Sequence, residues 1–205
     1  MPTSKLTVHV VLDRSGSMQS IKDDTIGAFN EYVSTLAKDA PKSHLSLTIF
    51  DSQSVDTIVD NSPIADVKPL DGNTYQPRGG TPLFDAIGKT VGLLAAADGK
   101  NKALVIITDG QENASREYRR ETIKSLLTEK QDKDNWLVLY LGANQDAFAE
   151  GAMFGTKAGT TMDYSATGAG MRGMMQSVGA ATARYASSGS LTVAAFTDDE
   201  RKAAK

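Results

Sequence analysis

Along this chain, short apolar runs alternate with longer stretches in which apolar residues recur at helical spacing. Leu6 to Leu12 is rich in β-branched side chains and stops at Asp13 and a Ser/Gly cluster, which reads as a buried strand running into a loop. From Ser20 to about Lys38, Ile21, Thr25, Phe29, Val33 and Leu36 repeat with helical period and predict a helix. Leu45 to Phe50 and Val55 to Val59 read as strands. The short polar side chains of residues 51–54 between them suit a turn, so the pair is expected to be an antiparallel hairpin. Residues 60–80 hold Pro63, Pro69 and Pro77 and read as a long surface connection, a kind of segment that often carries function. Pro82 then opens a second helix with Phe84, Ile87, Val91 and Leu94 on one face. Ala103 to Thr108 is a further buried strand, ending at Asp109-Gly110. An Arg/Glu-rich helix through Ile123, Leu126 and Leu127 and a strand from Trp136 to Leu141 follow.

Beyond Gly142 the composition shifts to Ala, Gly, Ser, Thr and Met. A helix near Gln145 to Met153, a short strand near Thr160 to Tyr164 and a last long helix are expected there. Met171, Met174, Met175, Val178, Thr182 and Tyr185 stripe that helix, and a methionine stripe at this spacing is read as core packing. Thr197 to Glu200 has capping-box spacing and predicts a short terminal helix.

Buried strands alternating with amphipathic helices give an α/β class: a mainly parallel sheet, helices on both faces, and one antiparallel edge strand from the hairpin. The length of 205 residues suits one domain over 1–205, with the motifs in 1–142 and 143–205 completing the fold. A net charge of -3 leaves no footprint for nucleic acid or anionic membrane, so neither is expected as a partner. The lack of cysteine excludes disulfides and thiolate metal sites. Met1 to Leu12 has no basic stretch followed by a signal-length apolar one, and no apolar run approaches about 18 residues. A cytoplasmic protein is therefore expected.

Three segments place small oxygen-bearing side chains after a strand or in a glycine loop: Asp13-Arg14-Ser15-Gly16-Ser17, Gly79-Gly80-Thr81-Pro82 and Thr108-Asp109-Gly110. In open α/β sheets ligands bind beyond the carboxyl ends of strands, where the strand order reverses. If the strands before Asp13 and Asp109 are neighbours, the two carboxylates converge and the glycine loop delivers Thr81 between them. Two carboxylates and three hydroxyls suit a hard cation such as Mg²⁺, whereas softer metals prefer imidazole or thiolate. Two aspartates neutralise a divalent ion, and neutral hydroxyl ligands leave it electrophilic toward a further carboxylate. Gly16, Gly80 and Gly110 permit tight bending and close backbone approach.

Asp13-x-Ser15-x-Ser17 with the distant Thr81 and Asp109 resembles the metal-ion-dependent adhesion site (MIDAS) of von Willebrand factor A (VWA) domains and the integrin inserted domain. All five motif positions are filled, and the resemblance covers about the first two-thirds of the chain. It implies a doubly wound, Rossmann-like sheet. It further implies Mg²⁺ or Mn²⁺, with Ca²⁺ less suited, held by Asp13, Ser15, Ser17, Thr81 and Asp109 directly or through water. A protein partner presenting Asp or Glu would complete the ion's coordination. The phrases from Leu12 to Met18, Gly80 to Asp85 and Thr108 to Gly110 look closest to small stand-alone bacterial and phage members, which are cytosolic.

Blander readings compete for the same residues. Asp13, Ser15, Ser17 and Ser20 suit a helix N-cap cluster, and Asp85 could cap or brace the loop from the second helix but reads rather as a solvated or structural carboxylate. Gly88-Lys89-Thr90 resembles the end of a phosphate-binding loop, but Leu83 stands where its first glycine is needed. Met18 occupies the glycine position of a calcium loop counted from Asp13. His9 and His44 read as structural rather than as members of a catalytic triad. Two other functions remain open beside the non-enzymatic binding module. One is a metal-assisted phosphatase or phosphotransferase with Asp13 as nucleophile, for which Ser15 stands where a second carboxylate is wanted. The other is a structural role in a phage or bacterial assembly.

Overall fold

The computed structural model describes residues 5–143 and 147–205. Six strands form one sheet: β1 (Leu6–Asp13), β2 (His44–Phe50), β3 (Val55–Pro63), β4 (Asn101–Thr108), β5 (Leu137–Ala143) and β6 (Thr161–Tyr164). Their order is β3-β2-β1-β4-β5-β6. All neighbours are parallel except β2 and β3. Every residue of β1 and β5 is buried, as expected for parallel strands covered on both faces. The chain builds outward from β1 in one direction through β2 and β3, then returns to β4 on the other side of β1 and continues through β5 to β6. The order therefore reverses between β1 and β4, whose last turns of chain carry Asp13 and Asp109.

Alternate residues of the same strands feed two cores. Leu6, Val8, Val10 and Leu12 pack with Phe29, Tyr32 and Leu36 of helix α1 (Lys22–Asp39) and with Met171, Met174, Met175 and Val178 of α5 (Gly168–Ser188). Val11, Leu104, Ile106 and Tyr140 pack on the other face with Leu83, Ile87 and Val91 of α2 (Leu83–Ala96) and with Ile123 and Leu127 of α3 (Arg120–Asp132). The methionine stripe is core. Helix α4 spans Ala147–Met153, and the positions Gln145 and Asp146 of its expected start lie outside the described residues.

Several boundaries differ from the sequence reading. The helix expected from Ser20 begins instead with a 3-10 turn over Gly16–Ile21, with α1 starting at Lys22. β3 runs on to Pro63 rather than stopping at Val59, because pairing continues through Leu45–Ser62 and His44–Pro63 after a register shift. A proline at that edge costs no ladder bond. Two short helices follow the long α5: α6 (Leu191–Ala194), which the sequence reading did not foresee, and α7 (Asp198–Ala203), the short terminal helix expected from Thr197. The capping box of α7 is formed: the Thr197 hydroxyl accepts from the Glu200 amide, and the Glu200 carboxylate accepts from the Thr197 amide. Glu200 also pairs with Arg184 of α5 at 2.7 Å.

The C-terminal helix is seated by close approach. A β-carbon on Gly173 would lie 1.8 Å from the Ala203 carbonyl oxygen, well inside van der Waals contact. Gly173→Ala is expected to push α7 off α5 at a cost of about 1–3 kcal/mol. Thermal unfolding and amide exchange over 197–205 would check this; unchanged protection there would contradict the seating.

Candidate functional site

Asp13 closes β1 and is fully buried. One of its carboxylate oxygens accepts from the Ser15 amide at 2.6 Å and the other from the Thr108 hydroxyl at 2.6 Å, so Asp13 is fixed by its own loop and by the end of β4. The 3-10 turn that follows brings Ser17 back over this end of the sheet. Its hydroxyl donates to Asp109 Oδ1 at 2.6 Å and lies 3.1 Å from the Ser15 hydroxyl. Gly110 supplies the remaining distances. A β-carbon there would lie 3.0 Å from Thr81 Oγ1, 3.7 Å from Ser17 Oγ and 3.8 Å from Asp13 Oδ2. Side chains from three distant segments thus converge on one small space that a glycine leaves open. Ser15 sits at the N-cap position of the 3-10 turn without making a side-chain cap bond, so capping does not account for its hydroxyl.

Thr81 is held by residues the sequence reading did not single out. Its amide donates to Asn113 Oδ1 at 2.8 Å and its carbonyl accepts from the Asn113 amide at 3.1 Å. Next door, the Gly16 amide donates to the Gly79 carbonyl and the Gly80 amide to Ser52 Oγ. Gly79 has a φ of 66°, a left-handed conformation that a side chain would disfavour. Arg14 points away from the constellation. Its buried guanidinium binds Asp51 at 2.7 Å and Asp56 at 3.0 Å, and Arg78 joins the same Asp51 oxygen at 2.9 Å. These contacts tie the hairpin turn, the glycine loop and the end of β1 together. The Tyr75 hydroxyl donates to the Asp13 carbonyl from the other core face.

Asp85 is a structural carboxylate, and a buried one rather than a solvated one. It accepts from the amides of Arg116, Glu117 and Tyr118, and so fastens the loop after Asp109 to the first turn of α2. Glu112 does the same in reverse, accepting from the Phe84, Ala114 and Ser115 amides. The sequence signals for this scaffold were Asp85 as a candidate brace from the second helix, the position of Arg14 inside the motif and the polar turn at 51–54. Nothing in the local pattern marked Asn113.

Burial pushes the Asp13 carboxyl up to about 6, against the hydrogen bonds from Thr108 and Ser15; the nearby Asp109 charge adds to the rise. Asp109 is also raised, again chiefly by burial. Two carboxylates are thus held in a desolvated place with Arg14 committed elsewhere, and a cation would relieve them. The donor set fits a hard divalent ion: two carboxylates and three hydroxyls, all oxygen, around the space beside Gly110. Among the described residues no group of three or more His, Cys, Asp or Glu could hold a metal, so an ion here would depend on hydroxyl ligands.

Nucleophilic chemistry is poorly served. Both Asp13 oxygens are engaged, and the residue has no exposed surface. His9 Nε2 bonds Thr48 Oγ1 inside the sheet, with burial pushing its imidazole down to about 4, and His44 Nδ1 bonds the Asn61 carbonyl. Lys89 lies within α2, not before it.

No family model matches the chain, and no curated protein does. Solved structures do. The PilB minor pilin from Streptococcus sanguinis superposes with a TM-score of 0.66 at 14% identity, over 89% of this chain and 62% of that one. A von Willebrand factor type A structure from Catenulispora acidiphila gives 0.65 at 13% identity, over 88% and 43%. The chain has a von Willebrand factor A fold. Proximal thread matrix protein 1 from the mussel byssus has a TM-score of 0.62 at 14% identity, over 88% of this chain and 46% of that one. The chain spans less than two thirds of each of these proteins. At such identities the likeness is one of fold. The five motif residues lie at the switch point of this VWA fold, between β1 and β4. No helix among the described residues is long and apolar enough to cross a membrane.

Proposed function

We propose that this VWA fold is a protein-binding module that holds one Mg²⁺ or Mn²⁺ through Asp13, Ser15, Ser17, Thr81 and Asp109 and docks an Asp or Glu of a partner protein. The observation that carries the reading is the convergence of Asp13, Ser17 and Thr81 oxygens on the open side of Gly110, with Asp109 bonded to Ser17. A bound divalent cation would supply there an electrophilic position for one carboxylate. The chain's own contribution is to hold the five oxygens in place. Asn113 fixes the Thr81 backbone, the Asp51 clasp fixes the glycine loop, and Thr108 fixes Asp13. Hydroxyls and carboxylates that now bond each other would exchange those bonds for the ion.

Calorimetry on chelator-stripped protein is expected to show one saturable site for Mg²⁺ or Mn²⁺. Failure to bind at millimolar metal, or binding undiminished in Asp13→Ala, would remove the metal from the reading. If a phosphate ester is turned over in a metal-dependent way that Asp13→Asn abolishes, the protein is an enzyme and the proposal fails.

A further inference from the structure

Between Gly110 and Glu121 the acidic side chains nearest the site are spoken for, and the basic ones are not. Glu112 accepts from three backbone amides and the Ser115 hydroxyl, and Glu117 pairs with Lys89 at 3.0 Å. Arg116, Arg119 and Arg120 are exposed, and among the described residues their side chains make no ion pair or hydrogen bond. Arg119 occupies the N-cap position of the 13-residue α3 without any side-chain cap bond, and Arg120 follows as its first residue. Cations at a helix N-terminus oppose the helix dipole, and a Ser, Thr, Asp or Asn cap is forgone there. Only Glu121 offsets them in the first turn. Local stability therefore argues against these arginines, and packing does not call for them.

The backbone that carries Arg116 is fastened beside the candidate metal site. Asp85 grips the amides of Arg116, Glu117 and Tyr118, and Asn113 grips Thr81 within the same loop. Arg116 lines a pocket together with Pro82, the residue after Thr81. The Tyr118 ring packs so closely on α2 that a β-carbon at Gly88 would lie 2.5 Å from it. The arginine loop and Thr81 are thus bonded to each other and to the start of α2, on the face formed by the carboxyl ends of the strands.

We propose that Arg116, Arg119 and Arg120 form an interaction surface for an acidic segment of a partner protein, beginning beside the metal-ligand constellation and running toward the start of α3. This rests on the proposed docking of a carboxylate at the metal and extends it: the docked Asp or Glu lies in a stretch with further acids, which the guanidinium groups receive. Arginine's planar fork suits carboxylates in a way a solvated lysine does not. A nucleic acid is the poorer fit, since the basic patch is confined to three side chains within five residues and does not extend along a phosphate backbone.

The test uses a dye-labelled oligoglutamate as probe, followed by fluorescence anisotropy over a salt series, with Mg²⁺ and with chelator. Three proteins are compared: wild type, the variant Arg116→Ala/Arg119→Ser/Arg120→Ala, and the control Lys38→Ala/Lys42→Ala/Lys100→Ala, which removes equal charge at exposed positions away from the site. The arginine variant is expected to bind the probe at least tenfold more weakly, or about 1.4 kcal/mol, and with a shallower salt dependence. The lysine control should match wild type. Metal affinity by calorimetry should be unchanged in the arginine variant, and its thermal midpoint should hold or rise by about 2–4 °C because a serine cap replaces a cation. Equal probe binding by wild type and the arginine variant, or no binding by wild type, overturns the surface. Duplex DNA of equal charge binding as tightly as the probe overturns the acidic-protein assignment. Arginine-dependent binding that is indifferent to chelator supports the surface and counts against the metal reading, so the two can fail separately.

Discussion

Replacing Asp13 by Asn is expected to make the metal-free protein more stable at neutral pH while abolishing its response to metal. The carboxyl is raised from an ordinary value of 3.8 to about 6, with burial as the main cause. A raised carboxyl means that the folded state holds its proton more tightly than the unfolded state, so stability falls as pH climbs from about 4 through 6. Above that window the full penalty stands, about 3 kcal/mol for a shift of this size. Asn carries no charge and keeps an acceptor for the Ser15 amide. Thr108 already lies 3.0 Å from the Gly110 carbonyl, so its hydroxyl can turn to donate there and accept from the new amide. Part of the gain will be lost to that rearrangement. In chelator, thermal midpoints of the two proteins should converge near pH 4, draw apart between about pH 4 and 6, and keep a constant gap above that. His9, pushed down to about 4 by burial, loses stability as pH falls through the same range, but it does so equally in both proteins and cancels from the comparison. With metal at about a hundred times its dissociation constant, wild type should gain about 2.7 kcal/mol and the variant nothing. A variant no more stable than wild type in chelator at pH 8 would show that the site carries no electrostatic strain.

Thr81→Ala is expected to cost the partner complex several kcal/mol, or orders of magnitude in affinity at about 1.4 kcal/mol per tenfold, and chelator should do the same to wild type. The substitution removes only the hydroxyl. The two backbone bonds to Asn113 survive it, so the loop and the fold should persist. Asn113→Ala makes the complementary change, leaving the hydroxyl and freeing the loop, and should weaken metal binding about 10–100-fold, as expected when a positioning partner is lost. Binding to a partner captured from the native host should be compared across wild type, both variants and chelator, with folding checked by circular dichroism. If binding survives Thr81→Ala and chelator undiminished, docking through a metal is wrong for this protein.

Much of the fold was legible because burial leaves a strong signature in the chain. A parallel strand covered on both faces is largely apolar, as in Val10 to Leu12 or Leu137 to Leu141, and a helix lying on a sheet shows its stripe. The hairpin at Asp51, the core role of the methionines and the capping box at Thr197 follow from equally local rules. The start of α1 and the end of β3 were less legible, since a 3-10 turn and a shifted register depend on what the segment meets in space.

For the candidate site, the sequence by itself determined the chemistry available: two carboxylates, three hydroxyls and glycines, in three segments that each follow a strand or a tight loop. Only the tertiary structure decided that these segments meet. The reversal of strand order between β1 and β4 sets Asp13 beside Asp109, and no local pattern encodes which strands become neighbours. Tertiary structure likewise decided the roles of Asn113, Arg14, Asp51 and Asp85. Each is an ordinary polar residue in the sequence, and each acts by bonding to a backbone or side chain that reaches it only through the fold. The physical reason is range. Propensity and periodicity act over a few residues, whereas the burial that raises Asp13 comes from packing across the whole sheet.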